Sequence, residues 1–103
     1  MAAAAETFTI SRPELRRILT NFGVTEKSMA ALFASMEKAH RHINIIAFVS
    51  MLEKAGLDRD ETSNVFRRLN MDDITIKRAF DLVDEERINS ETGRLYDVTV
   101  DVS

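Results

Sequence analysis

The sequence contains no cysteine and no tryptophan, and only one proline and three glycines among 103 residues. Without thiols there is no disulfide, no thiolate nucleophile and no thiolate zinc site, and the expected setting is the reducing cytoplasm. So little proline and glycine leaves scant material for a long flexible linker. No run of 18 apolar residues occurs, and residues 1–6 carry neither a basic segment nor an apolar stretch of leader length. Neither a membrane span nor a secretory signal is therefore expected. An excess of positive charge is missing too: 14 Lys and Arg face 17 Asp and Glu, for a net charge of −3. Non-specific nucleic-acid affinity comes from clustered cations, so nucleic acid is not an expected partner, and Arg16-Arg17 and Arg67-Arg68 read as solvated helix faces.

What is present is helical periodicity. A chain that is 45% hydrophobic and 30% charged is expected to form one domain over residues 1–103, burying roughly 60–70% of its unfolded surface. Apolar residues recur at i, i+3, i+4, i+7 in Leu15, Ile18, Leu19, Phe22; Met29, Leu32, Phe33, Met36; Ile45, Phe48, Val49, Leu52; and Ile76, Ala79, Phe80, Val83. Thr62, Val65, Phe66 and Leu69 add a shorter set. Ser11 with Glu14 and Asp58 with Glu61 have capping-box spacing; Thr25, Asn44 and Asp73 are candidate caps elsewhere. Gly23 and Gly56 stand where left-handed helix ends are expected. The predicted helices are 12–22, 26–39, 45–55, 59–69 and 74–86. From Tyr96 the period changes to two, with Val98, Val100 and Val102 on one side, which predicts an extended tail; residues 88–89 could pair back across the turn at 90–93.

Certain segments resemble a known family. Phe8-Thr-Ile-Ser-Arg-Pro-Glu-Leu-Arg-Arg-Ile-Leu-Thr-Asn-Phe-Gly23 is similar to the exit half of a calmodulin-type EF-hand: a β residue, Ile10, then a Ser-capped helix ending in Phe-Gly. Residues 29–52 resemble a whole hand, with Ile43 as the β residue and Phe48 at the aromatic position of the exit helix. Residues 65–80 repeat the order with Ile74 as the β residue. The resemblance, to calmodulin and myosin light chains, covers about residues 7–83. It implies an all-α, EF-hand-like domain of about five helices with a short β-like tail: a first pair of hands over 7–55, a further degenerate hand over 58–86 and an extended tail over 88–103. Pairing of Ile10 with Ile43 is expected, leaving Ile74 to the tail.

The calcium chemistry of that family is missing. A twelve-residue loop needs oxygens at its first, third, fifth and twelfth positions and a glycine at the sixth. Aligning Glu37 with the first position puts Ala39 and Arg41 at the third and fifth, leaves the loop about one residue short, and places Ala47 where the final acid belongs. The second loop, from Asn70 through Asp72 and Asp73, is about three residues short before Ile74, has no glycine and places Arg78 or Ala79 at the final acid. The first hand lacks an entrance half, since Glu6 and the alanines before it cannot supply a loop. No metal or other cofactor is therefore expected.

What the resemblance leaves is the ability to hold a helix. It implies a calcium-independent binding subunit of light-chain or adaptor type, gripping an amphipathic helix of a myosin-like or cytoskeletal partner. The groove expected to do so comprises Phe22, Met29, Phe33, Met36, Phe48, Met51 and Leu52, with Phe66, Met71 and Phe80 in a second apolar cluster; thioethers adapt to varied apolar surfaces. Three rivals remain. His40 and His42 could share a metal, but no third ligand is adjacent, and exposed loop histidines are the plainer reading. Residues 60–69 and 74–86 could form a helix-turn-helix, but Asp81, Asp84, Glu85 and Glu86 would face phosphates. The strand at 96–102 could add to a partner's sheet and so build an oligomer. No nucleophile triad or phosphate-binding glycine motif is present, and the chain is not expected to be an enzyme. Calorimetric titration with millimolar calcium is expected to give no stoichiometric heat; a saturable one-site signal would refute the erased-loop reading.

Overall fold

The computed structural model of the protein describes residues 6–88 and 98–103. The described residues form, in order, strand β1 (Glu6–Ile10), helices α1 (Arg12–Asn21) and α2 (Glu26–Lys38), strand β2 (His42–Asn44), helices α3 (Ile45–Lys54), α4 (Arg59–Arg68) and α5 (Asp73–Ile88), and strand β3 (Val98–Val102). The described residues are thus mostly helical, with five helices as expected, and have a three-stranded sheet where only a short β-like tail was expected.

Local sequence sets most helix boundaries. Ser11, Thr25, Asn44 and Asp58 each accept a hydrogen bond from the backbone N–H three residues on, and Asp58 with Glu61 closes a reciprocal capping box. α1 to α4 all end in one motif, the pair of backbone bonds that folds the chain over a left-handed residue. In α1 these bonds run from Gly23 to Thr20 and from Val24 to Leu19; in α3, from Gly56 to Glu53 and from Leu57 to Leu52. Gly23 (φ 83°) and Gly56 (φ 100°) take this conformation without strain. His40 (φ 57°) and Asn70 (φ 68°) take it in α2 and α4, where asparagine is among the side chains that tolerate it best. α5 departs from expectation: Asp72, not Asp73, caps it, accepting from the Thr75 N–H at 2.7 Å.

These signals repeat. Ile10, Ser11, Gly23 and Thr25 of β1–α1–α2 recur at one constant spacing as Ile43, Asn44, Gly56 and Asp58 of β2–α3–α4. The two units share strand, cap, helix, turn, cap and helix. The third expected unit breaks the pattern: Ile74 is no strand residue but lies in the first turn of α5, 79% exposed. With Asp72 capping directly, the chain enters the helix before any β residue could form.

Nor do Ile10 and Ile43 pair with each other. The sheet order is β1-β3-β2, with β3 parallel to β1 and antiparallel to β2. Ile10 lies opposite Val102, and Ile43 opposite Val100. The tail is therefore the central strand. Its alternation is as expected, with Val98, Val100 and Val102 buried and Thr99 and Asp101 partly exposed. Residue 88 ends α5 rather than forming a hairpin strand; the rest of that expected hairpin, with Tyr96, lies outside the described residues.

The sheet and helices enclose one hydrophobic cluster. Phe48 of α3, Phe66 of α4 and Phe80 of α5 run through it as a chain of rings, with centroids 6.0 and 5.6 Å apart. The expected second cluster of Phe66, Met71 and Phe80 is thus continuous with the first. Each buried phenylalanine is worth about 1.5–3 kcal/mol of hydrophobic free energy, with roughly 0.5–1.5 kcal/mol more for each favourable ring pair. Over Phe80 lies the Arg59 guanidinium, 4.7 Å from the ring centroid and bidentate to Asp84 at 2.7 and 3.3 Å. That hydrogen-bonded carboxylate raises the guanidinium's pKa above its ordinary value. Both partners are about half exposed, so the pair adds at most about 1 kcal/mol to the α4–α5 contact.

Because β3 has neighbours on both sides, a chain ending at residue 97 is expected to lose the cooperative thermal transition of the full chain by circular dichroism. A transition of unchanged midpoint would show that the sheet is dispensable.

Candidate functional site

The α2–β2–α3 unit is built around the turn expected above to be a calcium-type loop without its ligands. Ala39, His40 and Arg41 carry the chain from α2 into β2, with His40 and Arg41 both at positive φ (57° and 61°). The first ligand position, Glu37, is engaged by cations of the chain itself: Arg12 Nη1 at 3.2 Å and Arg41 Nε at 4.0 Å from Oε1. Asn44 Oδ1 caps α3, accepting from the Ala47 N–H at 2.9 Å. Among the described residues no group of three or more His, Asp or Glu is placed to hold a metal ion.

The second loop uses its acids in the same local way. Asp73 Oδ1 lies 3.5 Å from Arg67 Nε. Asp72 accepts hydrogen bonds from the backbone and side chain of Thr75, which lower its pKa below the ordinary 3.8. His42 Nδ1 meets Asp101 Oδ1 across the β2–β3 pair, whereas His40 is exposed on the turn, so the two histidines do not converge. Other acids are used locally as well: Asp58 caps α4, Asp84 holds Arg59, and Asp81 pairs with Lys77 at 2.9 Å. In the would-be helix-turn-helix, Arg67 and Lys77 are thus each drawn to a carboxylate of the chain. Strand β3 is hydrogen-bonded by β1 on one side and β2 on the other, leaving no open edge along its paired residues for a partner's sheet.

A concavity opens to the surface between α2 and α3. It has a volume of about 450 Å³ and is walled by Lys27, Ser28, Ala31, Leu32 and Ser35 on α2, and by Ala47, Ser50, Met51, Lys54 and Ala55 on and just past α3. Of the residues expected to form a groove, it contains Met51. Phe22 and Phe33 are half-buried against the core, and Arg16 lies over the Phe33 ring at 5.7 Å. Met29, Met36, Phe48 and Leu52 are core residues, at most 1% exposed, and offer no surface to a partner. The physical reason is that α3 is enclosed by α2, α4, α5 and the sheet, which together consume its apolar stripe.

Residues beside that stripe form the cleft instead. Their signal was present in the sequence: Lys27, Ala31 and Ser35, and likewise Ala47, Met51 and Ala55, each fall on an i, i+4 row. Small side chains there leave space between the helix surfaces. Fold and site together define a mostly helical domain with a small mixed sheet and an open interhelical cleft. No family model matches the chain, and no curated protein or solved structure is significantly similar to it.

The Asp72 cap supplies a pH test. Because its folded pKa is lowered, its contribution is present above the unfolded value near 3.8 and is lost as pH falls through the folded value. In thermal melts, Asp72→Ala is expected to lower Tm at neutral pH, with the difference from the parent shrinking below about pH 4. A pH-independent difference would deny the carboxylate this role.

Proposed function

We propose that the chain is a calcium-independent, EF-hand-like binding subunit of light-chain or adaptor type, holding an amphipathic helix of a partner protein. The observation that carries this reading is the cleft between α2 and α3, a concavity walled by helices, with Leu32 and Met51 among small side chains. Two further features support it. The strand-capped, twice-repeated helix pairs have the order of EF-hand halves. The residue at the first calcium position is engaged by Arg12 and Arg41, so the turn is held without an ion.

Grip on a helix here follows from shape. Small residues on both walls allow a third helix to approach closely, while half-buried Met51 offers apolar contact and its thioether adjusts to the partner's side chains. Ala31 is exposed on α2, so a large residue there fills the cleft without disturbing the core.

The test is a titration of the isotope-labelled chain with a leucine-faced amphipathic model peptide, followed by amide NMR. Shifts are expected to cluster in residues 27–35 and 47–55, equally with calcium or with chelator. Ala31→Trp is expected to weaken binding by about tenfold, equivalent to about 1.4 kcal/mol, with Tm unchanged. Absence of cleft shifts, or shifts that require calcium, would defeat the proposal.

A further inference from the structure

The cleft carries charge of one sign. Lys27 lies in the first turn of α2 and Lys54 is the last residue of α3, so both stand at the ends remote from the α2–α3 connection. Neither forms an ion pair among the described residues. Arg16, Arg59 and Lys77, by contrast, are each held by a carboxylate at 2.8, 2.7 and 2.9 Å. Among the described residues no aspartate or glutamate lines the cleft, although the whole chain has a net charge of −3. Lys27 also opposes its own helix, because the N-terminal turn carries the positive end of the dipole and favours anions. Its placement therefore gains nothing from local helix electrostatics.

Resting on the helix-holding reading above, we infer that the partner helix is acidic: it turns at least one aspartate or glutamate toward Lys27 and Lys54 while an apolar side chain meets Met51. A neutral or basic helix seated in the cleft would draw water from two ammonium groups and return no counter-charge. A carboxylate supplies it and fixes which way the helix lies. Each wall runs from residue 27 to 35 or from 47 to 55, about 12 Å at 1.5 Å per residue. The contact therefore covers about two turns of the partner, with the acid at one end of its apolar row.

Two model peptides with the same leucine row, one flanked by glutamates and the other by lysines, separate the possibilities when titrated into the full chain and into the double variant Lys27→Glu/Lys54→Glu. The parent is expected to prefer the glutamate peptide by about tenfold at low salt, with the preference vanishing near 1 M salt, where the screening length falls to about 3 Å. The double variant is expected to prefer the lysine peptide. Equal, salt-insensitive binding of both peptides at the cleft amides would overturn the acidic partner while leaving helix binding intact. If neither peptide shifts those amides, the helix-binding reading itself falls. Laurate shifting them in place of the peptides, or a dimer in light scattering that the double variant abolishes, would assign the cleft to an amphiphilic anion or a second copy and overturn the inference.

Discussion

The backbone pairing of β3 is the constraint on which the arrangement rests. A strand offers hydrogen-bonding groups along both edges, and β3 satisfies them with strands far apart in sequence, β1 in parallel and β2 antiparallel. Parallel neighbours require a crossover, and here the crossover contains every described helix: the chain leaves β1, builds α1 to α5 and returns beside its starting strand. Further backbone bonds secure the ends, from Arg12 to Ser103, from Ser103 to Ile10 and from Val102 to Arg41. Such a closure joins distant residues, so its entropic cost is met only once the helices between have packed.

On that frame the chain sets the same unit twice. β1–α1–α2 and β2–α3–α4 share caps and turn geometry, but their surroundings differ. α3 lies among α2, α4, α5 and both β2 and β3, and its residues Ile45, Phe48, Val49 and Leu52 are essentially inaccessible. α5 takes the place of any third strand unit, with Asp72 capping at once and Phe80 completing the row of rings from Phe48 through Phe66. Repetition of local signals thus produces equivalent elements with unequal burial.

That inequality shapes the surface. Large apolar residues of α2 and α3 turn inward, and the adjacent helix faces carry alanine, serine and lysine, which fill space poorly and leave the cleft open. The turn joining the two helices is held by left-handed His40 and Arg41 and by the contacts of Glu37 with Arg12 and Arg41. A groove of this origin does not depend on the most hydrophobic residues of the chain, which are already committed to the core.

How much of this was legible in the sequence follows from the range of the interactions. Helix positions were readable to within two residues, because capping by Ser11, Thr25, Asn44 and Asp58 and the turns at Gly23 and Gly56 involve neighbours a few residues apart. The alternation of Val98, Val100 and Val102 likewise announced a strand with one buried face. Its partners were not readable, since any of several exposed edges satisfies the same backbone groups. Ile74 was misread for a related reason: an apolar residue after an aspartate pair resembles a β position until the Asp72 cap starts a helix there. Met29, Met36, Phe48 and Leu52 could not be told from groove residues, because helical period identifies an apolar face but not what covers it. The sequence alone determined the helices, their caps and the alternating strand through local hydrogen bonding and periodicity. Only the tertiary structure decided that β3 lies between β1 and β2, and that small residues line the cleft with Met51 alone from the expected groove set, because both depend on which distant surfaces meet.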